Sequence, residues 1–540
     1  MGGSGDGSAR SGLVLWPAEF GRRYRIEGYW RGELLGALTR DWARRDGERT
    51  ALVGGGRRWS YAQLDRQADR TAAGLRRLGI RTGDRVLVQL PNLPELVYLS
   101  LALFRLGALP VYALAAHRRA EISYLAELTT ARGYVLPDRA GGFDYRPLAR
   151  AVTAASPELA HVIVVGEPGE FTALSDLDDE PVDLPDPDSA GIAFFLLSGG
   201  TTGAPKLIPR THDDYAFQLR ACAAALGVDQ RSVYLAALPV AHNAALGCPG
   251  VLGTLRAGGT VVLSPTPSPD DAFPLVAAER VTLTTLMPPL LAVWTELAGP
   301  LGVDLRPVLL QVGGAVLAPE VGRRALALGC RLSHWFGMAE GVLCHTRLDD
   351  PPEVVLHTQG RPLAAADEFR VVDQHGRQVP PGGLGELLVR GPCTLRGYYR
   401  APDYNRSAFT PDGFLRTGDL VRIDAAGNLA VAGRIKDVIN RGGEKVGAAE
   451  LERHLVAHPA VRDCAVVAVP DPALGEKTCA FVVPHGGPVG LVELREFLAG
   501  RGLAGYKLPD RVAYLDTLPR TSLGKIDKRR LRELAADRSR

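Results

Sequence analysis

The sequence predicts an α/β fold: a large N-terminal domain of parallel α/β sheets plus a β-rich subdomain, followed by a small α+β C-terminal domain. Three observations carry that expectation. At 540 residues the chain exceeds the size at which one hydrophobic core stops growing. From Trp59 to about residue 365, helical patterns alternate with short aliphatic or β-branched runs, the mark of parallel strands joined by crossover helices. Beyond that point the crossovers thin out, and strands separated by Gly, Pro and Asp turns take over.

Taken in order, residues 1–14 read as a disordered leader, because the Gly- and Ser-rich start carries both charge signs and has no apolar stretch of signal-peptide type. Helical periodicity follows over Tyr61–Leu78 and Leu93–Leu106, and strand patterns over Arg85–Gln89, His161–Val165, Ile192–Leu197 and Thr260–Leu263. The apolar run Leu96–Ala116 is broken by Arg105, Gly107 and Pro110, which predicts a buried helix and a short strand rather than a membrane span. Strands are expected at Glu368–Val372, Gly385–Arg390 and Asn428–Ala432. The charged turn Gly433-Arg434-Ile435-Lys436 marks the boundary between an N-terminal domain, 15–435, and a C-terminal domain, 436–540. The latter shows a helix at Ala448–Ala457, strands at Cys464–Val469 and Cys479–Val483, and a helix at Leu491–Arg501.

Composition removes several function classes. Lysine and arginine total 63 against 60 acidic residues, a net charge of +3, which gives no basis for a nucleic-acid or membrane partner. Seven cysteines, an odd number without a C-x-x-C pair, argue against a disulfide framework or zinc cluster and for a reducing cytoplasm.

The densest chemical signal is Ser198-Gly199-Gly200-Thr201-Thr202-Gly203-Ala204-Pro205-Lys206, directly after the strand Ile192–Leu197. Glycines let backbone approach a polyphosphate, hydroxyls and amides donate to its oxygens, and lysine offsets its charge. The spacing is not that of G-x-x-x-x-G-K-[ST]. Further strings follow in order: Gly313-Gly314-Ala315; Phe336-Gly337-Met338-Ala339-Glu340; Gly385-Glu386-Leu387 with Arg390-Gly391; Arg416-Thr417-Gly418-Asp419; Gly433-Arg434-Ile435-Lys436-Asp437 with Arg441-Gly442-Gly443-Glu444; and Pro519-Arg520-Thr521-Ser522-Leu523-Gly524-Lys525.

Together these strings resemble the motif set of the adenylate-forming superfamily, which includes acyl-CoA synthetases, luciferases and the adenylation domains of nonribosomal peptide synthetases. The resemblance implies ATP as substrate, with Ser198–Gly203, Lys206, Gly313–Ala315 and Phe336–Met338 around the nucleotide. It implies Mg²⁺ on Glu340, a hard cation on a carboxylate, and the ribose hydroxyls on Asp419 with Arg434 nearby, since an ionised carboxylate only accepts. Lys525 becomes the catalytic ammonium placed where charge develops between carboxylate and α-phosphate, and His242 and Glu340 join it as catalytic candidates. Lys436 matches the family's hinge, so the C-terminal domain is expected to rotate between an adenylating and a thioester-forming pose, with Gly442-Gly443 facing the site in the second.

Leu238-Pro239-Val240-Ala241-His242-Asn243, with Lys206–His212, Asn440–Lys445 and the early Tyr29-Trp30 pair, is similar to stand-alone aryl acid adenylating enzymes of siderophore pathways, which act on 2,3-dihydroxybenzoate or salicylate. That likeness implies that Asn243, Ala244, Cys248, Gly314, Ala339 and Leu343 bind the acid, with Asn243 serving its carboxylate or ortho-hydroxyl. Cys248 stands where serine is usual and Leu343 where valine is usual, which suits an acid lacking the 3-hydroxyl. Ala244 replaces an aromatic wall, so a salicylate-like 2-hydroxy acid and a larger bicyclic acid, such as a hydroxyquinaldic or quinoxaline carboxylic acid, both fit. With no carrier domain after Lys525, the expected acceptor is the phosphopantetheine thiol of a separate aryl carrier protein, in nonribosomal peptide or siderophore biosynthesis. Coenzyme A is the alternative.

Overall fold

The computed structural model describes residues 12–198, 205–315, 317–441, 444–471, 474–501, 503, 505–521 and 524–537. Among these, two large sheets organise the N-terminal domain. The strands Arg331–Gly337, Leu309–Gly313, Leu283–Leu286, Val233–Ala236, Thr260–Leu263 and Thr50–Gly54 run parallel at the heart of a nine-stranded sheet. Leu343–His345 adds antiparallel to Arg331–Gly337. In the seven-stranded sheet Ile192–Leu197, Leu109–Tyr112, Arg85–Val88, Gly133–Pro137 and His161–Val165 are parallel, while Leu207–Thr211 closes one edge antiparallel to Ile192–Leu197.

The helices Tyr61–Leu78 and Pro94–Leu106 share one buried cluster with Leu52 of the first sheet and Val86 and Val88 of the second. Tyr61–Leu78 starts on a capping box, Ser60 Oγ accepting from the Gln63 amide while Gln63 Oε1 accepts from the Ser60 amide, and stops at left-handed Gly79. Arg105, on the otherwise apolar helix Pro94–Leu106, is buried and donates to Gly36 O, Asp65 O, Asp69 and Thr39. These bonds satisfy a guanidinium that burial would otherwise leave uncompensated. No helix among the described residues is long and apolar enough to cross a membrane.

Residues 12–14, assigned to the leader on sequence grounds, differ from that expectation: Gly12 O accepts from the Arg400 amide, and Leu13 packs on the cluster containing Tyr399. Behind them Trp16, Phe20, Tyr24, Tyr29 and Trp30 stack as an aromatic group that reaches Phe217 and Cys393.

The β-rich portion is an antiparallel four-stranded sheet of Glu368–Val372, Gly385–Arg390, Leu415–Ile423 and Leu429–Arg434. Its last strand begins one residue later than expected and runs on to Arg434. Asn428 instead closes the preceding turn through Asp424, and the pairing of Asp419 with Arg434 extends the far end. The C-terminal sheet holds Glu444–Gly447, Val438–Arg441, Gly475–Pro484 and Val461–Asp471, with Arg511–Tyr514 beside Gly475–Pro484. Leu451, Leu455, Leu494 and Leu498, from Ala448–Val456 and Leu491–Gly500, form one core of this domain, and Leu531 of Lys528–Asp537 belongs to the other.

Candidate active site

Among the described residues, Glu340, Asp419, Arg434, His242 and Lys525 are linked by mutual electrostatic influence, which sets a turn of the C-terminal domain beside strand ends of the N-terminal domain. Ser198 and Lys206 close the mouth of the antiparallel pair Ile192–Leu197 and Leu207–Thr211: the Ser198 amide donates to Lys206 O at 2.9 Å and the Lys206 amide to Ser198 Oγ at 3.0 Å. Gly199, Gly200, Thr201, Thr202 and Gly203 lie outside the described residues, as do Gly442 and Gly443. The Lys206 ammonium sits 4.0 Å from the centre of the Tyr404 ring.

Gly313 ends the strand Leu309–Gly313, where a Cβ would come within 2.3 Å of Trp335 O; Gly314 follows with φ +77°, and Ala315 is exposed. Phe336 and Gly337 end the neighbouring strand, and Met338 opens the turn that presents Glu340. Within that turn the Gly341 position faces Cys393 O so closely that a Cβ would lie 1.5 Å from it. Only glycine fits there.

Glu340 is buried, and its Oε1 accepts from Tyr398 OH at 2.8 Å. Burial lifts its carboxyl above the usual range, against the pull of that hydroxyl and of the Arg434 charge. A carboxylate held from water with a neutral donor in contact is a suitable seat for a cation. Among the described residues no cluster of three His, Cys, Asp or Glu side chains exists, so a cation at Glu340 would draw further ligands from outside such a protein set, phosphate oxygens being the hard donors that suit it.

Asp419 is buried opposite Arg434 on the adjacent strand, and the guanidinium grips it as a fork, Nε to Oδ1 at 2.7 Å and Nη2 to Oδ2 at 3.3 Å. Each carboxylate oxygen keeps further lone-pair capacity for a diol. Lys525 reaches this group from the C-terminal domain. Burial draws its ammonium below the ordinary lysine range, the Arg434 charge adds to that, and Asp419 and Glu340 oppose it. Its turn is closed by the Thr521 amide on Lys525 O at 2.7 Å and braced by Arg520, which donates to Gly524 O and Asp463.

His242 caps the short helix Asn243–Gly247, its Nδ1 accepting from the Ala244 amide at 3.3 Å. Burial first and the Lys525 charge second push the imidazole down to about 4, so the ring is neutral and its remaining proton belongs on Nε2. That leaves His242 as a neutral donor.

The acid-binding candidates split into a polar and an apolar part. Asn243 Oδ1 accepts from Tyr215 OH at 2.9 Å and from Gln218 Nε2 at 3.3 Å, and its Nδ2 lies 3.5 Å from Cys248 Sγ. The side-chain carbonyl is therefore already occupied, and the amide hydrogens are what Asn243 offers an acid. Ala244, Cys248 and Leu343 share one buried cluster with Cys222, Trp335 and Leu363. The small residue at 244 thus sits in an apolar group whose aromatic bulk is the Trp335 indole, carried by a different strand. The Ala339 carbonyl accepts from Arg210, and its side chain packs against the large buried cluster.

Lys436 is exposed in the turn Ile435–Asp437, between the four-stranded sheet and the C-terminal sheet. Arg434 before it is tied to Asp419, and Asp437 after it accepts from Arg532 at 3.1 Å.

Four residues of this region escaped sequence reasoning. Arg210, fully buried, binds Asp214, Gln218, Ala339 O and Cys393 O, which joins the Glu340 turn to the Cys393 loop. Tyr398 holds Glu340. Trp335 and His345 face each other across paired strands with rings 6.4 Å apart. Period-2 reading of Arg331–Gly337 offered a signal for Trp335, since alternation puts it on the side of Gly337 and opposite Phe336; the other three depend on long-range contacts.

Residues 39–399 match the family model of the AMP-binding enzyme, and residues 450–525 that of the AMP-binding enzyme C-terminal domain. The chain is 53% identical to 2,3-dihydroxybenzoate-AMP ligase of Bacillus subtilis over 98% of both chains. It is 48% identical to salicyl-AMP ligase / salicyl-S-ArCP synthetase of Mycobacterium tuberculosis over 96% of this chain and 94% of that one. The apo structure of Mycobacterium smegmatis MbtA superposes with a TM-score of 0.77 at 47% identity, covering 97% of this chain and 99% of that one. With the two family models matched in order and likeness running the length of the chain, this protein belongs to the AMP-binding enzyme family.

Proposed function

We propose that the protein activates an aryl carboxylic acid with ATP and then passes the acyl group to the phosphopantetheine thiol of a separate carrier protein. The mutual electrostatic reach of Glu340, the Asp419–Arg434 pair, His242 and Lys525 carries this reading. In the first step a carboxylate oxygen bonds to the α-phosphorus while the bridging oxygen to the β-phosphorus leaves with pyrophosphate. Two anions approach, so positive and donor groups must meet the developing charge: the Lys525 ammonium and the His242 Nε2–H serve there, and Lys206 and Ser198 at the phosphate loop. Mg²⁺ on Glu340 would neutralise phosphate charge when bound. In the second step the thiol sulfur bonds to the acyl carbon, the anhydride C–O bond breaks, and AMP leaves.

The names of the two relatives, which specify 2,3-dihydroxybenzoate and salicylate, support an aryl acid, and the "S-ArCP" of the second supports a carrier thiol. The apolar cluster of Ala244, Cys248 and Leu343 favours an acid without a 3-hydroxyl, either a salicylate-like 2-hydroxy acid or a bicyclic one. Buried thiols at all seven cysteine positions agree with a reducing, cytoplasmic setting. ATP–pyrophosphate exchange across salicylate, 2,3-dihydroxybenzoate, benzoate, picolinate and quinaldate tests the proposal; absence of acid-stimulated exchange on the whole panel overturns it. Ala244→Tyr is expected to lower the bicyclic-to-monocyclic ratio of kcat/KM by about tenfold or more. An unchanged ratio in the same assay would remove Ala244 from the pocket wall.

The role given to Lys525 has a pH signature. The ammonium is needed as a cation, so adenylation is full below its pKa and declines as pH rises through it. Because burial and Arg434 draw that pKa down, the alkaline limb should begin below the ordinary lysine range. Lys525→Arg, always charged, should shift or erase the limb in a pH profile of exchange; a limb identical in both proteins assigns it to another group.

A further inference from the structure

The two reacting groups of the proposed adenylation are served by different sheets. Ser198 and Lys206 flank paired strands of the seven-stranded sheet, whereas His242, Asn243 and Glu340 follow strands of the nine-stranded one. A carboxylate and an α-phosphate held this way meet in line only if the sheets keep a fixed offset. A misplacement of about 1 Å is enough to cost about 10²-fold in rate. The apolar cluster shared by the sheets binds them together, but hydrophobic burial has no direction of its own.

Asn92 supplies direction. It lies between the strand Arg85–Val88 of the seven-stranded sheet and the helix Pro94–Leu106. Its Nδ2 donates to Ala236 O at 3.0 Å, Leu238 O at 3.1 Å and Ser264 O at 3.1 Å, and its Oδ1 accepts from the Val240 amide at 2.9 Å. Ala236 ends the strand Val233–Ala236 and Ser264 follows its neighbour Thr260–Leu263, so one side chain of the seven-stranded sheet grips two adjacent strand ends of the nine-stranded sheet. The carbonyls also fix which way the amide lies, since a flipped side chain would set oxygen against oxygen. Leu238 and Val240 belong to the segment that leads into His242, whose own amide closes a turn on Pro239 O at 3.0 Å. None of these bonds uses a group assigned above to the acid or the nucleotide.

Resting on the two-step reading above, we infer that Asn92 is a positioning residue for adenylation, which locks the His242-bearing segment to the opposite sheet and so sets the acid against the α-phosphate. It acts through backbone, on the approach of two separately bound reactants.

Two substitutions test this. Asn92→Ala removes the clamp, and Asn92→Asp keeps its outline and an acceptor for the Val240 amide but turns a carboxylate oxygen toward the carbonyls. Each should lower kcat of ATP–pyrophosphate exchange by about 10²-fold, while calorimetric Kd values for ATP alone and for the acid alone stay within about threefold of wild type. The acid is the one from the panel above that the wild-type protein uses best. Transfer from preformed acyl-AMP to thiol should be kept, because acyl carbon and phosphorus are then already joined through oxygen and need no alignment. Wild-type exchange in Asn92→Asp would reduce the residue to a space-filler, and undiminished exchange in Asn92→Ala would remove its role; either overturns the inference. Parallel loss of binding, transfer and exchange, or of folding itself, overturns it as well, since that is general support of the fold. All three outcomes leave the two-step reading standing. Absence of exchange by the wild-type protein on the whole panel overturns that reading and this inference with it.

Discussion

Lys525→Ala is expected to lower ATP–pyrophosphate exchange by about 10²–10³-fold, the scale on which one preorganised donor to a developing oxyanion acts. The ammonium is carried into the cleft by a turn braced through Arg520 and Asp463, and it is felt by His242, Glu340 and Asp419 from the other domain. Its removal should leave thiol transfer from preformed acyl-AMP intact, because that step needs no charge between carboxylate and α-phosphate. Single-turnover transfer to carrier thiol, run beside the exchange assay, distinguishes the outcomes. Equal loss of both steps would contradict a lysine that acts only in adenylation.

Arg210→Ala is expected to destabilise the fold by about 3–5 kcal/mol, read as a shift in urea midpoint at constant m-value. Arg210 and Asp214 are a fully buried pair, and the guanidinium also holds Ala339 O and Cys393 O. Removing it strands a carboxyl that burial already lifts above the usual range. The double substitution with Asp214→Ala should cost less than the sum of the two single ones, since no uncompensated charge then remains. Strict additivity would mean the pair is not coupled.

Much of this architecture was legible in the residues. Tyr61–Leu78 matches its expected bounds because a capping box and a left-handed glycine punctuate an apolar period, and Ile192–Leu197 does because an unbroken apolar run can only be a buried strand there. The strands near Cys464 and Cys479 extend further than expected, to Val461–Asp471 and Gly475–Pro484. The expected strand stopped before Pro470, yet near a strand end its missing N–H is tolerated, and the hairpin pairs down to Asp471 with Gly475. The hairpin of Val438–Arg441 and Glu444–Gly447 was read only as a charged, glycine-bearing turn. For the site, Glu340, Asp419, Arg434 and Lys525 were picked out by the resemblance of their strings to the family's motifs, since a lone lysine such as Lys525 reads otherwise as a solvated surface charge. Arg210 stood in a quoted string, but two of its four partners, Ala339 O and Cys393 O, come from segments remote in sequence. The ring nitrogens of Trp335 and His345, without hydrogen-bond partners among the described residues, had no signal in sequence, since an unmet hydrogen bond exists only once the surroundings are in place.

The placement of Arg434 ahead of Lys436 bears on how a reactive mixed anhydride is kept from water. The clasp on Asp419 ends the large domain's last strand, and Asp437 already answers to Arg532 of the C-terminal helix. A swing confined to residues 435 and 436 would carry Lys525 out without loosening the Arg434–Asp419 clasp. The intermediate would stay moored while its neighbour departs, so hydrolytic leakage during the handover should depend on the clasp more than on the speed of the swing.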